Sequence, residues 1–173
     1  MFDQYNLELP ETPEDFLECC RVFKENGIET PVGANRWWLE TFVLAQAYAD
    51  LYNGGNTEAE IEALNSGESK YSDYMRPGFE FLQEMIDCGY IDAEKAYVSE
   101  AIEGEGEDFL AGKTPVVMAY WGAANSETAY GNPDFNMLVI GFPSSRGQMP
   151  VISMTGFGVG SNAEHAEDAL NVL

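Results

Sequence analysis

The stretch FLAGKTPVVMAYWGAANS, from Phe109 to Ser126, predicts a helix end, a turn, a buried strand and a loop that opens the next helix. Gly112 suits the position just beyond a helix, and Pro115 to Ala119 form the short apolar run that is typical of a fully buried strand. The chain then places Tyr120 and Trp121 at the carboxyl end of that strand, where α/β proteins bind their ligands. This stretch therefore indicates both a fold class and a candidate site.

The side chains that follow the strand suit a polar molecule with apolar faces, such as a sugar. Trp121 offers a flat indole, Gly122 a flexible backbone, and Asn125 and Ser126 an amide and a hydroxyl group. A sugar packs its C–H face on an indole, and its hydroxyl groups need fixed hydrogen-bond partners beside the ring. Trp121 and Asn125 are therefore candidate ligand-binding residues, with Tyr120 as a weaker member.

Length and composition limit the function classes. The chain has 173 residues, of which 45% are apolar and 13% aromatic, so it can form an ordinary domain with its own core. Its 30 acidic and 8 basic residues give a formal net charge of −22. Because that charge repels phosphate backbones and anionic lipids, we expect no nucleic-acid partner.

The residue types that catalysis and metal binding need are scarce or badly spaced. Cys19, Cys20 and Cys88 form no C-x-x-C motif, which argues against a zinc or redox site and leaves their disulfide state open. The acidic run at 100–109 lacks the spacing of a calcium loop. His165 is the only histidine and is expected to face solvent. We therefore expect no metal, no cofactor and no nucleophilic hydrolysis.

Two alternatives from other function classes stay open. A glycoside-active enzyme domain needs two Asp or Glu side chains across a cleft, one of them with a raised pKa. The 30 acidic residues supply many such pairs, and no pattern singles one out. A pure interaction lobe that uses its acidic surface is the other alternative.

Helices alternate with short apolar strands, so the predicted class is α/β. Thr12 caps a first helix that runs to about Asn26, with Pro13 at its first position and Asp15 completing a capping box. The other predicted helices are Arg36 to Tyr52, Glu58 to Asn65 with Thr57 as its cap, Ser72 or Asp73 to about Cys88, Glu100 to Ala111 as an acidic helix or loop-helix, one after Trp121 and one from Ala163. The predicted strands are Thr30 to Gly33, one at Val116, Phe135 to Ile140 and Val151 to Val159, and residues 141–147 are the best linker candidate.

Adjacent tryptophans, Trp37 and Trp38, begin the second predicted helix. Neighbouring residues on a helix point about 100° apart, so one indole can pack inward while the other faces a cleft. Core packing of both indoles is the alternative. Further along, the alternating glycines of MTGFGVG at 154–160 predict a strand whose backbone comes close to a neighbour or a ligand.

Four segments in consistent order carry a family resemblance. Within the first quoted stretch, Phe109, Gly112 and Lys113 match the motif F-x-x-G-K-x-A-M-x-x-x-G-x-W at its spacing, and Met118 and Trp121 match it in residue type, two places later and one place earlier. The chain departs from that motif at Pro115 and at Ala119 and Tyr120, where a glycine is usual before the tryptophan. The other segments are LPETPEDFLECCRVFKENGIETPVGA, DFNMLVIGFPSSRG and MTGFGVGSNAEHAEDALNVL. Together they resemble the extracellular solute-binding proteins of family 1, the carbohydrate-binding components of bacterial ABC importers.

The resemblance implies a fold, a function and a location. The fold is a type II periplasmic-binding-protein-like lobe, a short mixed sheet flanked by helices. Residues 1–145 would form the C-terminal lobe, and residues 146–173 a linker, strand and helix that cross to the other lobe. The function would be capture of a mono- or oligosaccharide for ABC permease subunits, without enzymatic activity. The intact protein would be extracellular or periplasmic, anchored as a lipoprotein, with an N-terminal lobe and a signal upstream of Met1.

The same resemblance adds residues to the candidate site and raises a question of association. It favours Trp38 as the indole that lines the sugar site, and it adds Thr155 and Gly156. The apolar residues of 151–173 would be covered by the missing lobe in the intact protein. In this chain we expect them either to fold back on their own sheet or to drive self-association, which we favour.

Overall fold

The structure is a computed structural model, and it describes residues 1–98, 103–118, 135–149, 164–165 and 167–168. The helices are α1 Pro13–Glu25, α2 Arg36–Asn53, α3 Thr57–Ser66, α4 Tyr71–Asp87, α5 Ala93–Val98 and α6 Glu103–Leu110. The strands are β1 Val32–Gly33, β2 Val116–Val117, β3 Phe142–Ser144 and β4 Gly147–Met149. Among these described helices, none combines the length and apolar content that crossing a membrane requires.

Two short sheets contain the described strands. β1 and β2 run parallel, with Val32 opposite Val116 and Gly33 opposite Val117. β3 and β4 form an antiparallel hairpin. The described part is therefore a helix-rich α/β arrangement, as predicted at that coarse level. Where we expected one short mixed sheet, these residues form two separate pairs, one parallel and one antiparallel.

The capping box predicted for α1 is confirmed. The Thr12 hydroxyl oxygen accepts the backbone N–H of Asp15 at 3.2 Å, and the Asp15 carboxylate accepts the backbone N–H of Thr12 at 3.0 Å. Pro13 occupies the first helical position, where its missing N–H costs nothing. Hydrogen bonds from the Thr12 side chain and the Thr12 backbone N–H to the Asp15 carboxylate stabilise its charged form and lower the pKa of Asp15. The start of α1 is thus fixed by local chemistry alone.

The core lies where α2 crosses α4. Gly78 of α4 comes so close to α2 that a Cβ atom at this position would lie 2.4 Å from the backbone oxygen of Val43. Pro77 precedes it inside α4 and lacks the N–H that a helix interior normally uses. The close approach brings the ring of Phe81 within 6.0 Å of the ring of Phe42, measured between centroids.

Aromatic contacts join α1 and the β3–β4 hairpin to this crossing. The ring of Phe16 in α1 lies 6.2 Å from that of Phe42 and 6.1 Å from that of Phe81. Phe142 of β3 meets Phe42 edge-on at 5.8 Å. Helices α1, α2 and α4 and the hairpin therefore share one hydrophobic core.

Residues 141–147 belong mostly to the hairpin, so their prediction as a linker was wrong. The Ser144 hydroxyl donates to the Gly147 carbonyl at 2.7 Å and accepts the Arg146 N–H at 3.1 Å, which closes a tight turn. Gly147 has a φ of +83°, a value that glycine adopts without strain. The buried Gln46 side chain of α2 donates to the Pro143 carbonyl at 2.7 Å and holds the hairpin down. The division into residues 1–145 and 146–173 stays a prediction, although the hairpin straddles it.

Several other bounds differ from the predicted ones. Asn56, and not Thr57, is the residue before α3, while Thr57 is helical and its hydroxyl donates to the Tyr52 carbonyl. α4 begins at Tyr71, ahead of the predicted start. Residues 135–140 form no strand, since no described segment pairs with them, and α5 was not predicted. The helix after Trp121, the strand at 151–159 and the body of the last helix lie outside the described residues.

Candidate functional site

The carboxyl ends of β1 and β2 define the candidate site. Because the two strands are parallel, both end at the same edge of their sheet. β1 continues into Ala34 and Asn35, and β2 continues into Met118. We call Ala34, Asn35, Trp37 and Met118 the carboxyl edge. This is the position at which open α/β sheets bind ligands.

Asn35 sets the geometry of the carboxyl edge. Its side-chain oxygen accepts the backbone N–H groups of Trp37 at 3.0 Å and Trp38 at 3.2 Å, so it caps α2. Its side chain is buried, with 2% exposed. An asparagine in this role satisfies N–H groups that the first turn of a helix leaves without partners. The direction in which α2 leaves the edge is therefore fixed, and so are the positions of both indoles.

The two tryptophans have opposite environments, as the helical period predicts. Trp38 is buried, with 6% exposed, and it belongs to the same core cluster as Phe42. Trp37 is 55% exposed, and the guanidinium carbon of Arg36 lies 5.2 Å from its ring centroid. This is a cation–π distance, and it steadies the exposed ring.

Sequence reasoning assigned the ligand-facing role to Trp38, but the geometry favours Trp37. A signal for this was present in the sequence. Trp38, Phe42, Ala45 and Ala49 are spaced four, three and four residues apart, which places Trp38 on the apolar stripe of α2. Direct ligand contact by Trp38 stays a prediction, and such contact would require the buried ring to move.

The other predicted site residues are not described. Tyr120, Trp121, Asn125, Thr155 and Gly156 lie outside the described residues. Met118, the last described residue before the first three of them, is 5% exposed at the end of β2. The structure therefore brings together the β1–α2 half of the candidate site and the end of β2, but not the side chains that follow it.

A polar cavity of about 590 Å³ lies between the turn that precedes β2, the loop before β1 and helices α5 and α6. The Asp108 carboxylate in α6 bonds the ammonium group of Lys95 at 2.8 Å and that of Lys113 at 3.1 Å. These two hydrogen bonds lower the pKa of Asp108. The cluster ties α5 and α6 to the turn at Gly112, whose φ of +70° fits its predicted place just beyond the helix.

The shifted carboxyl groups among the described residues can be compared with what a glycosidase acid requires. Among the described residues, the carboxyl groups with a shifted pKa are Asp15, Glu18 and Asp108, and hydrogen bonds lower the pKa of all three. A glycosidase acid needs the opposite shift, since it must hold a proton near neutral pH. His165 is exposed beside Asp168, 3.7 Å away. In the described segments no group of three or more His, Cys, Asp or Glu side chains is placed to hold a metal ion.

Two of the three cysteines are structural. Cys19 and Cys20 are buried on the inner face of α1, as expected of small apolar residues. Burial raises the pKa of Cys19 to about 11 and raises that of Cys20 further. Both therefore remain protonated and unreactive at neutral pH. Cys88 is exposed.

Searches with protein-family models and among curated proteins find no match for this chain. The assignment of a function therefore rests on the geometry of the carboxyl edge together with the sequence motifs.

Proposed function

We propose that this chain captures a carbohydrate by non-covalent binding at the carboxyl edge, with no bond broken. The observation that carries the proposal is Trp37, an indole that is 55% exposed at the carboxyl end of a parallel strand pair. A large exposed aromatic ring at this position is suited to stacking on the C–H face of a sugar. Arg36 covers one side of the ring, and its guanidinium group can donate hydrogen bonds to hydroxyl groups beside it.

Residues after β2 would complete the site in this proposal. The chain leaves Met118 at the carboxyl edge, and Tyr120, Trp121 and Asn125 follow within seven residues. They would supply a second aromatic surface and an amide. Thr155 and Gly156 keep their predicted roles. The charge of the chain, −22, fits a neutral polyhydroxylated ligand better than an anionic one.

The sequence resemblance widens the proposal to a solute-binding protein of a carbohydrate ABC importer. In that reading the described residues are part of a type II periplasmic-binding-protein-like lobe, outside the cell and anchored as a lipoprotein. A second lobe would close over the sugar, and ABC permease subunits would receive it. The parallel β1–β2 pair, followed by a helix capped at its carboxyl edge, supports this reading.

The test is ligand-observed saturation-transfer NMR of the chain with a panel of mono- and oligosaccharides. If the site is shared with a second lobe, this chain supplies only part of the contacts, so we expect weak binding that this method still detects. Sub-micromolar binding would show that the site is not shared. The proposal would be refuted if no sugar in the panel showed saturation transfer at a tenfold or larger excess over the protein. Hydrolysis of chromogenic glycosides by the same sample would also refute it.

Two matched variants separate a binding role from a packing role. Trp37→Ala should weaken the sugar response strongly, because truncating a central aromatic contact costs about 2 kcal/mol or more. It should leave the melting temperature nearly unchanged, since the ring is half exposed. Trp38→Ala should instead destabilise the fold by about 3–5 kcal/mol, as expected for loss of a buried tryptophan. Equal sugar binding by wild type and Trp37→Ala would remove Trp37 from the site.

A further inference from the structure

A second cavity, of about 540 Å³, shares only Met118 with the carboxyl edge and is not used by the proposed function. One wall is β2 with Val116 and Val117, and another is the segment 135–141, which forms no strand. The beginning of the chain, at residues 1–3, closes a third side. The volume is within the range of pockets that hold a single small molecule.

The side chains that line this cavity are mostly apolar. Six phenylalanines contribute to it: Phe2, Phe16, Phe42, Phe109, Phe135 and Phe142. Asp3, Thr114 and Asn136 are the only polar side chains among the described lining residues. The Thr114 hydroxyl already donates to the Thr30 carbonyl at 3.3 Å. A sugar in this cavity would find few side-chain partners for its hydroxyl groups, and a hydroxyl group without a partner is costly in an apolar environment.

We propose that this cavity binds a small apolar molecule that carries no negative charge. The aromatic walls favour an aromatic or branched hydrocarbon body, since stacked and edge-on ring contacts add to the gain from burying apolar surface. The only charged side chain among the described lining residues is the Asp3 carboxylate. With a net charge of −22 around it, an anionic amphiphile such as a fatty acid is repelled, while a neutral or cationic molecule is not.

Two exposed residues that line the cavity, Phe135 and Leu138, are suitable positions at which to test it. Phe109 and Phe135 meet edge-on with their ring centroids 5.3 Å apart. Phe135 is 39% exposed and Leu138 is 64% exposed, so substitutions there disturb little buried packing. A carboxylate at either position would place a second negative charge on the lining. Tyr97 of α5, which is 74% exposed and does not line the cavity, is the matched control position.

The experiment compares two fluorescent probes that share one ring skeleton. N-phenyl-1-naphthylamine is neutral, and 8-anilino-1-naphthalenesulfonate adds a sulfonate to the same rings. At low salt the neutral probe should bind saturably with one probe per chain, and the anionic probe should bind about tenfold more weakly or worse. Phe135→Asp and Leu138→Asp should each weaken the neutral probe about tenfold, and Tyr97→Asp should not change its affinity.

The circular dichroism spectrum of each variant serves as the check on folding. Equal affinity of both probes would overturn the proposal because the cavity would then not exclude an anion. A neutral-probe signal that survives both lining substitutions would overturn it because the probe would then bind elsewhere. A folded wild-type chain that binds no neutral probe would overturn it as well. The proposal would also be overturned if the neutral-probe signal of the wild-type chain disappeared under conditions in which light scattering shows a dimer, because a second copy of the chain would then cover the cavity.

Discussion

Replacing Gly78 by alanine should destabilise the protein, although alanine is the better helix former. The residue lies inside α4 at the crossing with α2. A Cβ atom built there would lie 2.4 Å from the Val43 oxygen, 2.7 Å from its Cα and 2.9 Å from its carbonyl carbon. Ordinary van der Waals contact begins near 3.4 Å, so the two helices would have to separate by about 1 Å. All three clashing atoms are backbone atoms, and no rotamer change relieves them.

The expected loss of stability follows from the packing contacts that this separation would weaken. A gap of about 0.5–1 Å removes roughly a quarter to a half of a dispersion contact. Phe81 and Met85 are 7% and 0% exposed on the same face of α4, and burial of each contributes about 1.5–3 kcal/mol. Loosening both costs roughly 1–3 kcal/mol, and residual strain adds about 1 kcal/mol. The helix propensity of alanine offsets about 1 kcal/mol. We expect a net loss of about 2 kcal/mol.

Urea unfolding followed by circular dichroism measures this loss, and differential scanning calorimetry should show a melting temperature lower by about 4–8 °C. Glu80→Ala, at an exposed position of the same helix, is the control and should change stability by less than about 0.5 kcal/mol. If Gly78→Ala is as stable as the wild type or more so, the close approach of α4 to Val43 is not the arrangement in solution.

Three further predictions concern single interactions. Thr12→Ala removes the capping box of α1 and should cost about 1 kcal/mol in urea unfolding, whereas Thr12→Ser should cost little; an unchanged midpoint for alanine would show that the cap does not contribute. Gln46→Leu removes the donor to Pro143 and leaves that carbonyl without its side-chain partner, so we expect a loss of about 1–3 kcal/mol, and a neutral result would mean that water replaces the amide. The lowered pKa of Asp108 means that this group stabilises the fold above its unfolded value near 3.8 and that the contribution disappears as the pH falls through the lower folded pKa. Asp108→Asn should therefore lower the melting temperature at pH 7 and have a smaller effect near pH 2, and equal effects at both values would contradict this linkage.

Local signals in the sequence were enough to predict several elements. The start of α1 followed from Thr12, Pro13 and Asp15, whose contacts span three residues and need no partner from elsewhere. The two short apolar runs separated by helices indicated an α/β arrangement, and the parallel pair of β1 and β2 agrees with that class. The missed helix α5 also had a local signal, since the Asp92 carboxylate accepts the Lys95 N–H at 2.9 Å as a helix cap does.

Other features depend on non-local contacts that local sequence patterns do not indicate. Residues 135–140 are apolar enough for a strand, but a strand requires a neighbour, and the described residues provide none. The sequence around Ser144 and Gly147 resembles a linker, and only the pairing of β3 with β4 shows that it forms a hairpin turn. For the candidate site, helical periodicity separated Trp37 from Trp38 and placed Trp38 on the apolar stripe of α2, and the structure shows that Trp38 belongs to the core cluster. The residues predicted after Met118 remain predictions.

A chain still emerging from the ribosome lacks the β3–β4 hairpin until residue 149 has been made. Until then the Gln46 amide has no Pro143 carbonyl to bind, and the Pro10 carbonyl has no Gln148 amide, which are contacts across 97 and 138 residues. Non-local closures of this length form slowly compared with helices. Helices α1, α2 and α4 can therefore condense during synthesis, but the face of α2 that Phe142 covers stays open to solvent. We expect the nascent chain to need protection from aggregation at that stage, and the hairpin to close last.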